Sequence, residues 1–149
     1  MTYATLLLTR RATLAGALAF GFALAVPGAA AAAEADISDI DAFERQQADE
    51  MIIVDIRTPP EWAETGVATG AVTIDMQDPE FIPKLVALRT ENQDKGIALI
   101  CASSNRSGQA QRLLSQSGFD RLYSVFGGMT GNGQVAGWIA DGLPTEKCC

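Results

Sequence analysis

Apolar runs typical of buried strands alternate with helical patterns along most of the chain, and this alternation strongly constrains the fold. Residues 52–56, 97–100 and 122–126 are nearly continuous apolar runs, as expected for strands covered on both faces of a sheet. Shorter runs at 35–37 and 71–74 bring the predicted strands to five. Strands alternating with helices imply an α/β fold with a central five-stranded parallel β-sheet flanked by helices on both faces.

Helix-start signals follow several of these strands. Ser38 is predicted to cap the first helix, with Asp41 three residues later as an acidic residue of its first turn. Thr58 is predicted to cap the second helix, with Pro59 at its first position and Glu61 completing a capping box. The predicted apolar helix faces are Ile40, Phe43 and Ala48; Trp62; Phe81, Leu85 and Leu88 after a start at Asp78-Pro79; Ala110, Leu113 and Leu114 of a helix over 109–114; and Val135, Trp138 and Ile139 of a last helix that ends at Gly142.

Residues 1–33 have the composition of an export signal. Arg10 and Arg11 are their only charged residues, and an uncharged stretch rich in Leu, Ala and Phe follows at 12–26. A polyalanine run then suits cleavage near Ala33. We therefore expect a cleaved signal peptide and a periplasmic or secreted protein.

The export route and the fate of the signal leave two alternatives open. Residues 9–14 partly resemble the twin-arginine export pattern, and the general secretory route is the other option. The uncharged stretch at 12–33 is also long enough to span a bilayer, so a retained membrane anchor is the alternative to cleavage.

Residues 34–147 are expected to form one globular domain, which Cys148 and Cys149 follow as a short tail. Without Arg10 and Arg11, nine basic residues stand against 18 acidic ones, which gives a net charge of −9. This charge disfavours nucleic acid and anionic membrane surfaces as partners. We expect no membrane partner once the signal is removed.

The chain has three cysteines, an odd number that leaves at least one thiol unpaired within the chain in an oxidising compartment. Cys148 and Cys149 are interpreted as a dangling tail. A thiol that resolves an intermediate on the remaining cysteine, or a contact with a partner, is the alternative role for the pair.

Cys101 follows the strand run at 97–100 and opens a loop of small and polar residues, A-S-S-N-R-S-G, before the helical pattern at 109–114. Such a loop points backbone N–H groups inward, and the helix N-terminus adds partial positive charge. We therefore expect Cys101 to form a thiolate readily and to be reactive. An inert buried thiol is the alternative interpretation.

The chain contains no histidine, which excludes Cys-His and Ser-His catalytic pairs. It also has no CxxC motif, and its acidic residues are scattered along the chain. We therefore predict neither a metal site nor a cofactor.

Five blocks in this order resemble single-domain rhodaneses: 55–62 (D-I-R-T-P-P-E-W), 66–71, 101–107 (C-A-S-S-N-R-S), 127–129 and 142–144. The most specific are the D-x-R-x-P-x-E-W block and the C-x-x-x-x-R-S loop. The resemblance covers nearly all of the chain after the signal. It implies a rhodanese-like α/β domain with a five-stranded parallel sheet, in agreement with the strand pattern.

The resemblance implies sulfur transfer, in which Cys101 takes a sulfane sulfur from a donor such as thiosulfate and forms a persulfide. The sulfur then passes to a thiol or cyanide acceptor, with a protein thiol as a further candidate partner. Asp55 and Arg57 are expected to brace neighbouring loops by charge-assisted hydrogen bonds. Backbone N–H groups of the following loop residues would stabilise the thiolate and the persulfide anion: Ala102, Ser103, Ser104, Asn105, Arg106 and Ser107.

Arg106 matches the loop arginine of rhodaneses, and it is expected to hold the loop shape, attract an anionic donor, or do both. Cys-dependent phosphatases place five residues between cysteine and arginine, whereas this loop has four, which favours sulfur over phosphate. A phosphatase or arsenate reductase is therefore the minor alternative. Ala102 stands where rhodanese loops often have a basic residue, and Ser104 where they often have glycine. A non-catalytic persulfide carrier or interaction module is the main alternative.

Overall fold

The computed structural model describes residues 36–149 of the chain. The predicted export signal, its cleavage site and the alternative of a membrane anchor fall outside the described residues. Within residues 36–149, no helix combines the length and the apolar character needed to span a bilayer.

Seven strands and four helices make up this part of the chain. They are β1 (Asp36–Ile37), α1 (Asp39–Gln47), β2 (Met51–Asp55), α2 (Pro59–Thr65), β3 (Val67–Ala68), β4 (Val72–Thr73), α3 (Phe81–Glu91), β5 (Gly96–Ile100), α4 (Asn105–Gln116), β6 (Leu122–Val125) and β7 (Thr145–Glu146).

Five of the strands form the predicted parallel sheet, in the order β1-β6-β5-β2-β4. β5 lies at the centre, and all of its residues are buried, which explains its continuous apolar run. Asp55, the last residue of β2, pairs in register with Ile100, the last residue of β5. The chain segments that follow these two strands therefore emerge at the same edge of the sheet.

The two faces of the sheet bury different sets of side chains, because neighbouring strand residues point in opposite directions. One set includes Ile53 and Ala98 and packs with Ala42 of α1 and with Trp138. The other set includes Val54 and Leu99. It packs with Phe81 and Leu85 of α3 and with Ala110 and Leu114 of α4. Helices thus cover both faces, as the sequence predicts.

The start signals of the first two helices are confirmed. Ser38 Oγ accepts a hydrogen bond from the Asp41 N–H at 3.0 Å and caps α1. Thr58 is the N-cap of α2 and Pro59 its first residue, where a missing N–H has no cost.

The boundaries of the two later helices differ from the prediction. α3 begins at Phe81 rather than at Asp78-Pro79, because Asp78 closes a separate turn by accepting the Phe81 N–H at 2.9 Å. α4 begins at Asn105, four residues before the predicted pattern at 109–114. Its first turn lacks large apolar side chains, so hydrophobic periodicity did not reveal it.

Ala48, predicted on the apolar face of the first helix, is exposed and is the C-cap of α1. Two predicted residues within the helices are also exposed: Ile40 by 50% and Leu113 by 65%. Each lies two positions from a buried residue of the same helix, Ile40 from Ala42 and Leu113 from Gln111. Two positions rotate a side chain by about 200° around a helix, so both point away from the sheet. Their prediction as core residues was wrong.

The predicted last helix through Val135, Trp138 and Ile139 was also wrong, because Val135 lies in a bend and residues 138–142 form a turn. Gly137 has φ +83°, and a Cβ at this position would lie 2.4 Å from the backbone nitrogen of Gly131. Trp138 is nevertheless fully buried, with its indole N–H donating to the Pro144 carbonyl at 2.9 Å. The spacing of apolar residues resembled that of a helix, although the backbone forms a bend and a turn.

A second, two-stranded sheet was not predicted. β3 lies within the segment expected to be a turn and pairs antiparallel with β7, Val67 opposite Glu146 and Ala68 opposite Thr145. Both strands have only two residues, too few for an alternating pattern to indicate them.

Candidate active site

Cys101 is the first residue after β5 and is 1% exposed. It is a free thiol, and it packs with the cluster of apolar residues between the sheet and α3 and α4. Four residues later α4 begins, with Ser104 as its N-cap in a left-handed conformation at φ +67°. The thiol thus lies beside the N-terminus of a twelve-residue helix, where partial positive charge accumulates.

Ser107 places two polar groups against the sulfur. Its backbone N–H donates to Cys101 Sγ at 3.4 Å, and its hydroxyl lies 3.4 Å from the same sulfur. The Ser107 hydroxyl also lies 2.9 Å from the hydroxyl of Ser124, a fully buried residue of β6. Ser124 was not predicted as a site residue, although a lone polar residue inside an apolar strand is a usable signal.

The other loop residues predicted to present N–H groups are Ala102, Ser103, Ser104, Asn105 and Arg106. Their backbone N–H groups donate to no acceptor within residues 36–149. Ala102, Ser103, Ser104 and Arg106 are half-buried, and Asn105 is exposed. The loop therefore keeps a row of unused donors beside the thiol, which is an anion-binding arrangement.

The opposite side of this loop is anchored by the segment after β6. The N–H of Met129 donates to the Cys101 carbonyl at 2.8 Å, and the N–H of Thr130 donates to the Ala102 carbonyl at 2.9 Å. Gly128 makes this approach feasible, because a Cβ at its position would lie 2.4 Å from the Cys101 oxygen. The double glycine after β6 thus supports the loop directly.

Arg106 points its guanidinium at Glu61, in the first turn of α2. Nη1 donates to Glu61 Oε2 at 3.0 Å, and Nη2 contacts Oε1, so the pair is bidentate. The two side chains are 32% and 30% exposed, respectively. Arg106 was expected to hold the loop shape, to attract an anionic donor, or to do both. The contact with Glu61 corresponds to the first role, because it ties the loop to α2.

Glu61 also completes the start of α2. Its Oε2 accepts the Thr58 N–H at 2.9 Å and the Thr58 hydroxyl at 2.7 Å. The hydrogen bonds from Arg106 lower the pKa of Glu61 from its ordinary value of 4.5 to about 2, and the Thr58 donors act in the same direction. The carboxylate is thus ionised at neutral pH and shared between two elements.

Asp55 and Arg57 form a buried ion pair next to the loop. Arg57 is 1% exposed; its Nη2 lies 2.6 Å from Asp55 Oδ2, and its Nε donates to both carboxylate oxygens. The remaining guanidinium N–H groups donate to Thr65 Oγ1 and the Gly66 carbonyl, both at 2.7 Å. The pair therefore ties the end of β2 to the end of α2, and its hydrogen bonds face protein groups.

The tail cysteines are separate from this site. The sulfurs of Cys148 and Cys149 are bonded to each other, which leaves Cys101 as the free thiol. No group of three or more Cys, Asp or Glu side chains within residues 36–149 lies close enough to hold a metal ion.

Comparison with known proteins gives consistent results. The sequence profile of the rhodanese-like domain matches residues 39–132. A sulfurtransferase of Allochromatium vinosum is 31% identical over 108 residues, covering 71% of this chain and 90% of that protein. The thiosulfate sulfurtransferase GlpE of Pseudomonas syringae pv. syringae is 35% identical over 86 residues, covering 48% and 81% of the two chains.

Comparison of the fold with solved structures also identifies a rhodanese-related protein. A crystal structure of a rhodanese-related protein from Thermoplasma volcanium superposes with a TM-score of 0.59 and 29% identity, covering 76% of this chain and 98% of that one. The profile match spans more than half of the chain and includes the Cys101 loop and the double glycine. The chain therefore belongs to the family of rhodanese-like domains.

Proposed function

We propose that the chain is a sulfurtransferase that moves a sulfane sulfur from a donor such as thiosulfate to a thiol or cyanide acceptor through a persulfide on Cys101. The observation that carries the proposal is the free Cys101 thiol beside the unused N–H groups of residues 102–106. Relatives named as sulfurtransferases support the same reaction class.

The first step needs only a thiolate and a donor. The Cys101 thiolate attacks the outer sulfur of thiosulfate, an S–S bond forms to Cys101, the S–S bond of thiosulfate breaks, and sulfite leaves with the electron pair. In the second step cyanide attacks the outer persulfide sulfur and leaves as thiocyanate, which restores the Cys101 thiolate. A thiol acceptor takes the sulfur in the same way and becomes a persulfide.

The loop stabilises negative charge in both steps. The thiolate accepts the N–H of Ser107 and lies 3.4 Å from its hydroxyl, while the N–H groups of residues 102–106 have no acceptor within residues 36–149 and are available to a bound anion. Fixed donors of this kind stabilise developing charge without a proton transfer. A histidine base is therefore unnecessary in this mechanism.

The Arg106 geometry disfavours a phosphatase or arsenate reductase. A phosphatase loop needs its arginine on the oxyanion, whereas both ends of the Arg106 guanidinium contact Glu61. A persulfide carrier without turnover is the second candidate. It is favoured by the 1% exposure of Cys101 and by Ala102 in place of a basic residue.

We also propose that the protein works in the periplasm or as a secreted protein after removal of residues 1–33. The support is the sequence pattern alone: two arginines, an uncharged stretch and a polyalanine run. The intact mass of the protein recovered from the periplasm and the culture medium tests the cleavage site.

Sulfur uptake on Cys101 is the direct test of the reaction. The full chain is exposed to thiosulfate and analysed by intact mass and peptide mapping, and thiocyanate is measured after cyanide is added. A variant with Cys148→Ser and Cys149→Ser leaves one thiol and should still gain one sulfur atom, whereas Cys101→Ser should gain none.

The outcomes separate the two candidates. Repeated thiocyanate formation supports the enzyme. One stoichiometric discharge without turnover supports the carrier. Absence of sulfur on Cys101 with thiosulfate and with an organic persulfide would overturn both.

A further inference from the structure

Arg106 is the only basic residue in the loop from Cys101 to Ser107, and its charge is neutralised by an ion pair. The bidentate contact with Glu61 occupies both terminal nitrogens of its guanidinium. Because Glu61 has a pKa of about 2, the pair has no net charge at neutral pH. A donor that enters the loop therefore meets N–H dipoles and a neutralised cation.

The rest of the loop adds no compensating charge. Ala102, Ser103, Ser104 and Asn105 are uncharged, and Ala102 directly follows the nucleophile. Thiosulfate is a dianion that must bring both charges toward a thiolate. The repulsion between the donor and the thiolate grows with the charge on the donor, so without a free cation in the loop a dianion is disfavoured more than a neutral or singly charged donor.

We propose that Glu61 determines the class of sulfur donor: by neutralising Arg106, it favours an organic persulfide over a dianionic donor such as thiosulfate. This inference rests on the proposed sulfur transfer at Cys101. In the favoured reaction the thiolate attacks the outer sulfur of R–S–SH, a new S–S bond forms to Cys101, and the original S–S bond breaks. The thiol R–SH leaves with the electron pair and a proton, with no net oxidation or reduction.

Glu61 acts as a positioning residue, so its variant must remove the charge and keep the helix cap. Glu61→Gln does this, because a glutamine oxygen still accepts the Thr58 N–H that now lies 2.9 Å from Oε2. Glu64→Gln is the matched control. It removes the same charge from the same helix at an exposed position that makes no contact with Arg106 among the described residues.

The experiment measures the second-order rate constant for persulfide formation on Cys101, in the full chain, with thiosulfate and with a small alkyl persulfide. We expect Glu61→Gln to raise the thiosulfate constant roughly fivefold, as removal of one charge several ångströms from a dianion predicts. The alkyl persulfide constant should change less than about twofold, and Glu64→Gln should change neither constant by more than that. In steady-state assays the change should fall on KM for thiosulfate rather than on kcat.

A second variant keeps the test decisive if Glu61→Gln does not fold. Ala102→Lys adds an uncompensated cation and leaves the Glu61–Arg106 pair in place, and it should likewise raise the thiosulfate constant selectively. Unchanged thiosulfate constants in every folded variant, or equal changes with both donors, would overturn the inference. Absence of persulfide with either donor in the unmodified protein would instead overturn the proposed function.

Discussion

Ser104 adopts a conformation that serine rarely tolerates, and its replacement by glycine tests the loop geometry. Ser104 has φ +67° and ψ −8° at the start of α4. Its side chain makes no capping hydrogen bond, and its Oγ lies 3.5 Å from Asn132 Nδ2, at the limit of a hydrogen bond. The side chain thus offsets little of the backbone strain.

Two opposing terms set the size of the effect of Ser104→Gly. The left-handed conformation costs a residue with a Cβ about 1–2 kcal/mol. Glycine loses about 0.5–1 kcal/mol more backbone entropy on folding. The difference ranges from about zero to 1.5 kcal/mol, so we expect the free energy of unfolding to rise by about 0.8 kcal/mol, the middle of that range, in Ser104→Gly.

Urea unfolding followed by tryptophan fluorescence measures this difference, since Trp62 and Trp138 are both buried. A gain of this size moves the midpoint by roughly 0.5 M, given a typical denaturant slope for a domain of this length. Ser104→Ala is the matched control, because it removes the hydroxyl but keeps the Cβ and the strain. If Ser104→Gly is no more stable than Ser104→Ala, the left-handed geometry of the loop is refuted.

Two further predictions concern stability. Gly128→Ala should lower the free energy of unfolding by about 2–4 kcal/mol, because its Cβ would meet backbone oxygens. Gly118→Ala is the control and should cost about 1 kcal/mol, because Gly118 has a positive φ but no atom within 4 Å of the added Cβ. Equal costs in urea titrations would refute the steric argument. Burial, and next the neighbouring Asp141 carboxyl, raise the pKa of Asp39 above its ordinary value of 3.8, so the native state binds the proton more tightly and stability falls as pH rises through this window. Asp39→Asn should therefore stabilise the protein at pH 7 and have little effect at pH 3, and a variant with a lower urea midpoint at pH 7 would contradict this.

Local signals in the sequence predicted most of the sheet and the position of the proposed nucleophile. The apolar runs of β2, β5 and β6 were recognisable because each strand is buried on both faces and needs no alternation. The cap formed by Thr58 was recognisable because its partner Glu61 is only three residues away. Cys101 was placed correctly because strand end, small-residue loop and helix follow one another directly in the chain.

Features that depend on distant residues were not predictable from spacing. Glu61 and Arg106 are 45 positions apart, and both residues suit their local elements without the other. Ser124 meets Ser107 only because β6 lies beside β5 in the sheet. In the segment that carries Trp138, apolar spacing predicted a helix, although positive φ at Gly137 prevents one.

The anchored carbonyls of Cys101 and Ala102 have a consequence for the thermodynamics of ligand binding. In a trans peptide the N–H points opposite to the carbonyl of the same plane. The bonds from Met129 and Thr130 to these two carbonyls therefore also orient the N–H groups of Ala102 and Ser103. Folding has already ordered these donors, so a small anion arriving at the thiol gives up its own freedom of motion and imposes little further ordering on the loop.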